Sequence, residues 1–122
     1  MYKIHFIVYL QPASQFVESC VGTSINITCT VTAEYLLWKV NDMTRDFSMN
    51  GGNANKNIGD FYFELLSNNS QELVSMATLN NIHSNDNGTV LICESSIVPN
   101  PTSEQKANIT IIVHSTGSLF IY

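Results

Sequence analysis

The stretch Ala77-Thr78-Leu79-Asn80-Asn81-Ile82-His83-Ser84-Asn85-Asp86-Asn87-Gly88-Thr89-Val90-Leu91-Ile92-Cys93 decides how this chain folds. It ends one β-prone segment at Leu79, turns a corner through residues rich in Asn, Ser, Asp and Gly, and opens a second segment running to about position 95. The same punctuation repeats outward in both directions. Residues 72–79 form the return arm of a hairpin whose first arm is residues 61–66 and whose turn is Ser67-Asn68-Asn69-Ser70. Further back, Ile25, Ile27, Cys29 and Val31 alternate with Asn26, Thr28 and Thr30, the pattern of a half-buried strand with a polar visible face. A polar break at Thr32-Ala33-Glu34 leads into a strand over residues 35–40. Residues 41–59 are polar, contain Gly51-Gly52, and leave room for at most one short strand near 46–49. Downstream, Pro99 and Pro101 mark an extended loop, because proline cannot donate to a sheet ladder, and residues 106–113 are the last strand. Short strands between turns, with no heptad and no amphipathic helix, predict an all-β sandwich or barrel.

Composition narrows the function. The chain has 122 residues, 44% hydrophobic and only 12% charged, with a net charge of −5. That length suits one domain with its own core. The charged share is about half that of ordinary soluble proteins, so solubility rests on Asn, Ser and Thr, which favour turns and strand surfaces over helix interiors. Arg45 is the single arginine beside four scattered lysines. No basic stripe is available to neutralise a nucleic-acid backbone or to hold an anionic membrane. No run approaches the roughly 20 apolar residues of a membrane-spanning helix.

Four Asn-x-Ser/Thr sequons start at Asn26, Asn68, Asn87 and Asn108 and predict N-glycans; Asn100 is excluded by Pro101. Together with paired cysteines they predict an extracellular or cell-surface location reached through the secretory route. Residues 1–14 admit two readings. A lone Lys3, an apolar run over 4–10 and small residues near Ala13 suit a short or truncated signal peptide, whereas the β-branched and aromatic content of that run suits a first strand. Residues 15–114 are then the domain and 115–122 a tail.

Cys29 in an alternating strand, Trp38 in the next, and the run Ala77-x-Leu79-x-x-Ile82-x-x-x-Asp86-x-Gly88 leading into Cys93 together resemble the immunoglobulin superfamily over roughly residues 16–113. The resemblance implies a two-sheet β-sandwich with an inter-sheet disulfide between Cys29 and Cys93 and Trp38 packed beside it. Closing so long a loop removes unfolded-chain entropy equivalent to about 4 kcal/mol. Leu79 and Ile82 then bury the end of the hairpin and the start of the corner, and Asp86 and Gly88 supply the turn chemistry. The chain departs from the family in three places. Leu91 stands where the corner tyrosine is usual, Asp86 lies one residue further from Cys93 than is commonest, and the close spacing of Cys29 and Trp38 leaves no room for an antibody-like binding loop between them. Cys20 is left as the odd cysteine, read as a partly buried free thiol, an intermolecular bridge, or the partner of a cysteine outside this chain.

Catalytic signatures are missing. No Gly-x-Ser-x-Gly elbow and no zinc motif occurs, and His83 and His114 sit among Ser, Asn and Thr as surface residues do. His83, Asn85, Asn87, Gly88 and Glu94 fall on ligand positions of an EF-hand loop, but the first charged oxygen ligand is lacking, so a plain turn is expected. Asn85-Asp86-Asn87 resembles the calcium-binding linkers of cadherins without that family's other acidic motifs. No metal, cofactor or catalytic residue is therefore predicted.

Alternation assigns the remaining faces. On the sheet holding Trp38 and Cys93, the residues Leu36, Val40, Leu91, Ile109, Ile111 and Val113 join them inward. Tyr35, Leu37, Lys39, Val90, Ile92, Asn108, Thr110 and Ile112 point outward, an unusually apolar set for a solvated surface. Tyr35, Leu37, Val90, Ile92 and Ile112 are the candidate partner-binding residues, for a second copy or another immunoglobulin-like domain; a register shifted by one would bury them instead. The loop over 97–105, stiffened by its prolines, is a second candidate surface. These features predict a non-catalytic recognition module of an adhesion protein or receptor ectodomain. The alternative is a secreted protein of similar fold with a structural or carbohydrate-binding role.

Overall fold

The structure is a computed structural model that describes residues 8–11, 14–49, 51, 53–69, 71–96 and 105–114. The expectations for residues 1–7, for the loop at Pro99 and Pro101 and for the tail over 115–122 lie outside the described residues. Ten strands are described: β1 (Val8–Gln11), β2 (Phe16–Cys20), β3 (Ile25–Val31), β4 (Tyr35–Val40), β5 (Met43–Ser48), β6 (Lys56–Ile58), β7 (Phe61–Asn68), β8 (Leu73–Leu79), β9 (Val90–Ser96) and β10 (Gln105–His114).

They form two five-stranded sheets, one in the order β1-β3-β8-β7-β6 and the other in the order β2-β10-β9-β4-β5. Described pairings are antiparallel except that of β2 with β10, which is parallel. The chain therefore changes layers between β1 and β2, and its N-terminal part edges both sheets. Alternating apolar positions from each sheet meet between them. Ile27, Cys29 and Val31 face Leu36, Trp38, Leu91, Cys93, Ile109 and Ile111 across a core completed by Phe47, Phe63, Leu73 and Leu79. Trp38 lies against Phe63, with ring centroids 5.2 Å apart and planes at 25°, an offset arrangement that adds to the large area both rings bury. Cys29 of β3 and Cys93 of β9 form the inter-sheet disulfide, 64 positions apart in sequence and with Cα atoms separated by 6.5 Å.

The bounds of β3 and β4 coincide with the alternation in the sequence. Residues 41–59 do not follow the expectation, since they hold two strands, β5 and β6. Phe47 and Ile58 are the single buried apolar residues of these strands and drop into the core like pegs, while β4 and β7 provide the ladders beside them. One anchor per strand is too few to produce a visible period. Asn41, in the left-handed region at φ 57°, reverses the chain between β4 and β5. Strand β7 also runs past its expected end at Leu66 into the expected turn, to Asn68, after an irregularity between Leu65 and Ser67 that leaves Leu66 exposed. The polar outer face expected of β3 needs a correction as well, because Thr30 is only 6% exposed; it lies between its register partners Tyr9 and Val74 on the flanking strands.

Candidate recognition surface

The outer face of the second sheet is a grid set by register. Reading across β10, β9, β4 and β5, one row holds Lys106, Glu94, Leu37 and Asp46, and the next holds Asn108, Ile92, Lys39 and Thr44. Phe16, Thr110 and Val90 make a further row across β2, β10 and β9, with Glu18 and Ile112 beyond it. Tyr35, Leu37, Ile92 and Ile112 are half-buried on this face, and Val90 is 38% exposed. Their inward neighbours Leu36, Trp38, Val40, Leu91, Cys93, Ile109 and Ile111 are buried, with Val113 half-buried, so the strand register agrees with the alternation. The structure adds Phe16, 55% exposed and in line with Val90, as the largest exposed apolar side chain of the face. Alternation through Phe16, Glu18 and Cys20 is the signal that would have placed it.

An ion pair interrupts the apolar set. Glu94 points outward by alternation yet is only 3% exposed. Its Oε2 meets Lys39 Nζ at 3.0 Å, and its Oε1 has no hydrogen-bond partner among the described residues. A buried carboxylate with one oxygen unpaired is costly, and Lys39 supplies the compensating charge. Lys106, directly opposite Glu94 in register, is exposed. The face is thus apolar flanks around a charged centre.

The corner between β8 and β9 is structural. Leu79 and Ile82 are buried, and Ile82 exchanges backbone hydrogen bonds with the turn after β2: its N–H donates to Thr23 O at 2.9 Å and its carbonyl accepts from Gly22 N at 2.8 Å. A 3₁₀ turn at Ser84–Asp86 follows, in which Asp86 Oδ2 accepts from His83 N at 2.8 Å. Gly88 takes a φ of +84°, a conformation that side chains disfavour, and donates to Ile111 O at 2.7 Å. Val113 N donates to Asn87 Oδ1 at 2.8 Å. These two bonds tie the corner to β10, while Leu91, in the place of the corner tyrosine, is simply buried.

The EF-hand spacing does not enclose a site. Glu94 lies on β9 paired with Lys39, away from the turn that carries His83 and Asn85. Among the described residues, Asp60, His83 and Asp86 bring potential ligand atoms within 4.8 Å of one another. Asp60 and Asp86 border a depression of about 300 Å³ that is also lined by Val40, Ile58 and Phe61. Asp60 and His83 are exposed and Asp86 is already engaged in the turn, so this cluster reads as turn chemistry. Cys20 is a half-buried free thiol at the end of β2. It is in register with His114, whose Nε2 lies 2.9 Å from Glu18 Oε1.

All four sequon asparagines are exposed. Asn26 lies on the outer face of the first sheet, its Oδ1 accepting from Thr78 Oγ1 at 3.1 Å. Asn68, at the end of β7, donates through Nδ2 to Met49 O at 3.2 Å. Asn87 belongs to the corner. Asn108 stands on the outer face of the second sheet, opposite Ile92.

No protein-family model matches the sequence, and no curated protein matches it. Solved structures do. A chain from work on T cell specificity and activation by the bacterial superantigen toxic shock syndrome toxin-1 superposes with a TM-score of 0.61 at 16% identity, covering 90% of this chain and 100% of the other. The complex of Dpr2 Ig1-Ig2 with DIP-Theta Ig1-Ig3 contains a chain with a TM-score of 0.65 at 14% identity, over 89% of this chain and 32% of that one. The titin Ig tandem A164-A165 gives 0.58 at 8% identity, over 84% and 45%. At such identities the likeness concerns architecture: the chain has an immunoglobulin-like fold, as the pattern around Cys29, Trp38 and Cys93 implies.

Proposed function

We propose that this immunoglobulin-like domain is a non-catalytic extracellular recognition module that docks a protein through the outer face of its second sheet. The observation that carries the reading is the outward row structure itself. Tyr35, Leu37, Val90, Ile92 and Ile112, joined by Phe16, present apolar surface on four neighbouring strands, rimmed by polar groups such as Asp46, Lys106 and Asn108. Such a composition suits a protein interface, where apolar contacts supply affinity and a charged pair selects the partner. A structurally similar chain occurs in a complex between two proteins built of Ig domains, which supports a second copy or another immunoglobulin-like domain as the partner. The disulfide supports an oxidising, extracellular setting, with N-glycans on the exposed sequons. Cell adhesion or a receptor ectodomain is the role these features suit. The carbohydrate-binding alternative loses its best platform, since Trp38 is wholly buried.

The test uses the secreted full chain. Sedimentation over a wide concentration range should show self-association that Leu37→Glu with Ile92→Glu abolishes, while circular dichroism and the melting temperature stay close to wild type. A chain that remains monomeric both as secreted and after enzymatic removal of its N-glycans, and that also captures no member of a panel of secreted immunoglobulin-like domains in either form, would overturn the reading.

A further inference from the structure

We infer that Asn108 is a glycan switch: a sugar chain on its carboxamide covers the outer face of the second sheet, so only copies bare at this position can dock there. The inference rests on the docking reading above and adds its regulation. Three observations lead to it. Asn108 is the one sequon asparagine on this face, whereas Asn26 and Asn68 belong to the first sheet and Asn87 to the corner. It is exposed, and among the described residues no side-chain or backbone group holds its carboxamide, unlike the other three. It is also central. Its register partner is Ile92, whose own partner is Lys39, and the sequon hydroxyl of Thr110 stands between Phe16 and Val90 in the adjacent row.

Strand spacing converts this position into reach. Ile92 lies one strand away, about 5 Å, and Lys39 two strands away, about 10 Å. The core of an N-glycan is several sugar rings long, hydrated and bulky, so a chain rooted at Asn108 sweeps Ile92, Val90, Phe16 and the Lys39–Glu94 pair. The sugar would shield the apolar flanks from water and from any partner. A bare Asn108 leaves a small polar side chain that an interface accommodates. Partial occupancy of this single sequon would then set the fraction of binding-competent molecules without any change in fold.

The experiment compares secreted full-length wild type, Asn108→Gln, Thr110→Val and Asn26→Gln. Intact mass before and after endoglycosidase treatment reports occupancy, and hydroxyl-radical labelling of Phe16 and Ile92 reports shielding of the face without needing a partner. Asn108 should carry glycan in wild type. Labelling of both residues should rise several-fold in Asn108→Gln and equally in Thr110→Val, which destroys the sequon while keeping the asparagine, and should not change in Asn26→Gln. An unoccupied Asn108, or labelling that stays at the wild-type level in both sequon variants, overturns the inference. Docking is read separately, by sedimentation of the same proteins. Raised labelling without any association would retain the switch as a shield and refute the interface, whereas association abolished by Leu37→Glu with Ile92→Glu but indifferent to Asn108 would do the reverse.

Discussion

The hydrogen bond from Trp38 Nε1 to Ser75 Oγ, 2.9 Å long, runs beside the disulfide as a second rung between the same two sheets, joining β4 to β8 where the disulfide joins β3 to β9. Trp38 is the register partner of Cys93 in one sheet, and Ser75 is the register partner of Cys29 in the other. Ser75 Oγ in turn donates to Glu64 O at 2.7 Å, so the hydroxyl both accepts and donates. A covalent tie and a polar tie thus cross the core side by side.

Ser75→Ala should therefore destabilise the domain although it removes only one oxygen. The buried indole N–H would lose its acceptor, at a cost of about 1–3 kcal/mol. Urea unfolding should show a lower midpoint with an unchanged slope; a shift within experimental error would mean that the indole finds another acceptor.

Replacing both Cys29 and Cys93 by alanine should cost about 2–5 kcal/mol, as loss of a native bridge does in small secreted domains. Secretion yield and the urea midpoint should fall together. An unchanged midpoint would show that the core alone holds the layers.

The ion pair on the outer face should respond asymmetrically. Lys39→Met leaves the Glu94 carboxylate buried and uncompensated, and a loss of about 1–3 kcal/mol is expected once the partial exposure of Lys39 is allowed for. Combining it with Glu94→Leu should restore most of that loss, because two apolar side chains pack where a charged pair was. A double-mutant cycle by thermal unfolding measures this. Additive losses would contradict the coupling.

Gly88→Ala should cost about 1–2 kcal/mol, the strain of a side chain in the left-handed region. Its φ is +84° and nothing lies within 4 Å of an added Cβ, so crowding does not contribute. A neutral substitution would mean that the corner relaxes into another conformation.

The layered architecture was legible because its signals are local. Cys29, Trp38 and Cys93 sit in segments whose alternation is strong enough to assign each side chain to a face, and that assignment carries over directly to Tyr35, Leu37, Val90, Ile92 and Ile112. Strands β5 and β6 were not legible, because their pairing depends on β4 and β7 being in place and each contributes a single deeply buried side chain, Phe47 or Ile58. Thr30 was misleading for a related reason, and Glu94 shows the same effect. Alternation reports which way a residue points, while burial also depends on neighbours across the sheet, so a polar outward residue can still lie beneath other side chains. Phe16 escaped notice as part of the surface because β2 reaches its place only by parallel pairing with a strand from the other end of the chain.

That parallel pairing has a mechanical side. With β2 and β10 running in the same direction, a tensile load that reaches Phe16 and His114 pulls the two strands past one another along their axis. Every backbone bond between them is then loaded in shear at once, whereas an antiparallel pair gripped at one end would unzip bond by bond. This edge of the second sheet is therefore the part of the fold whose geometry best withstands a pull along the strands.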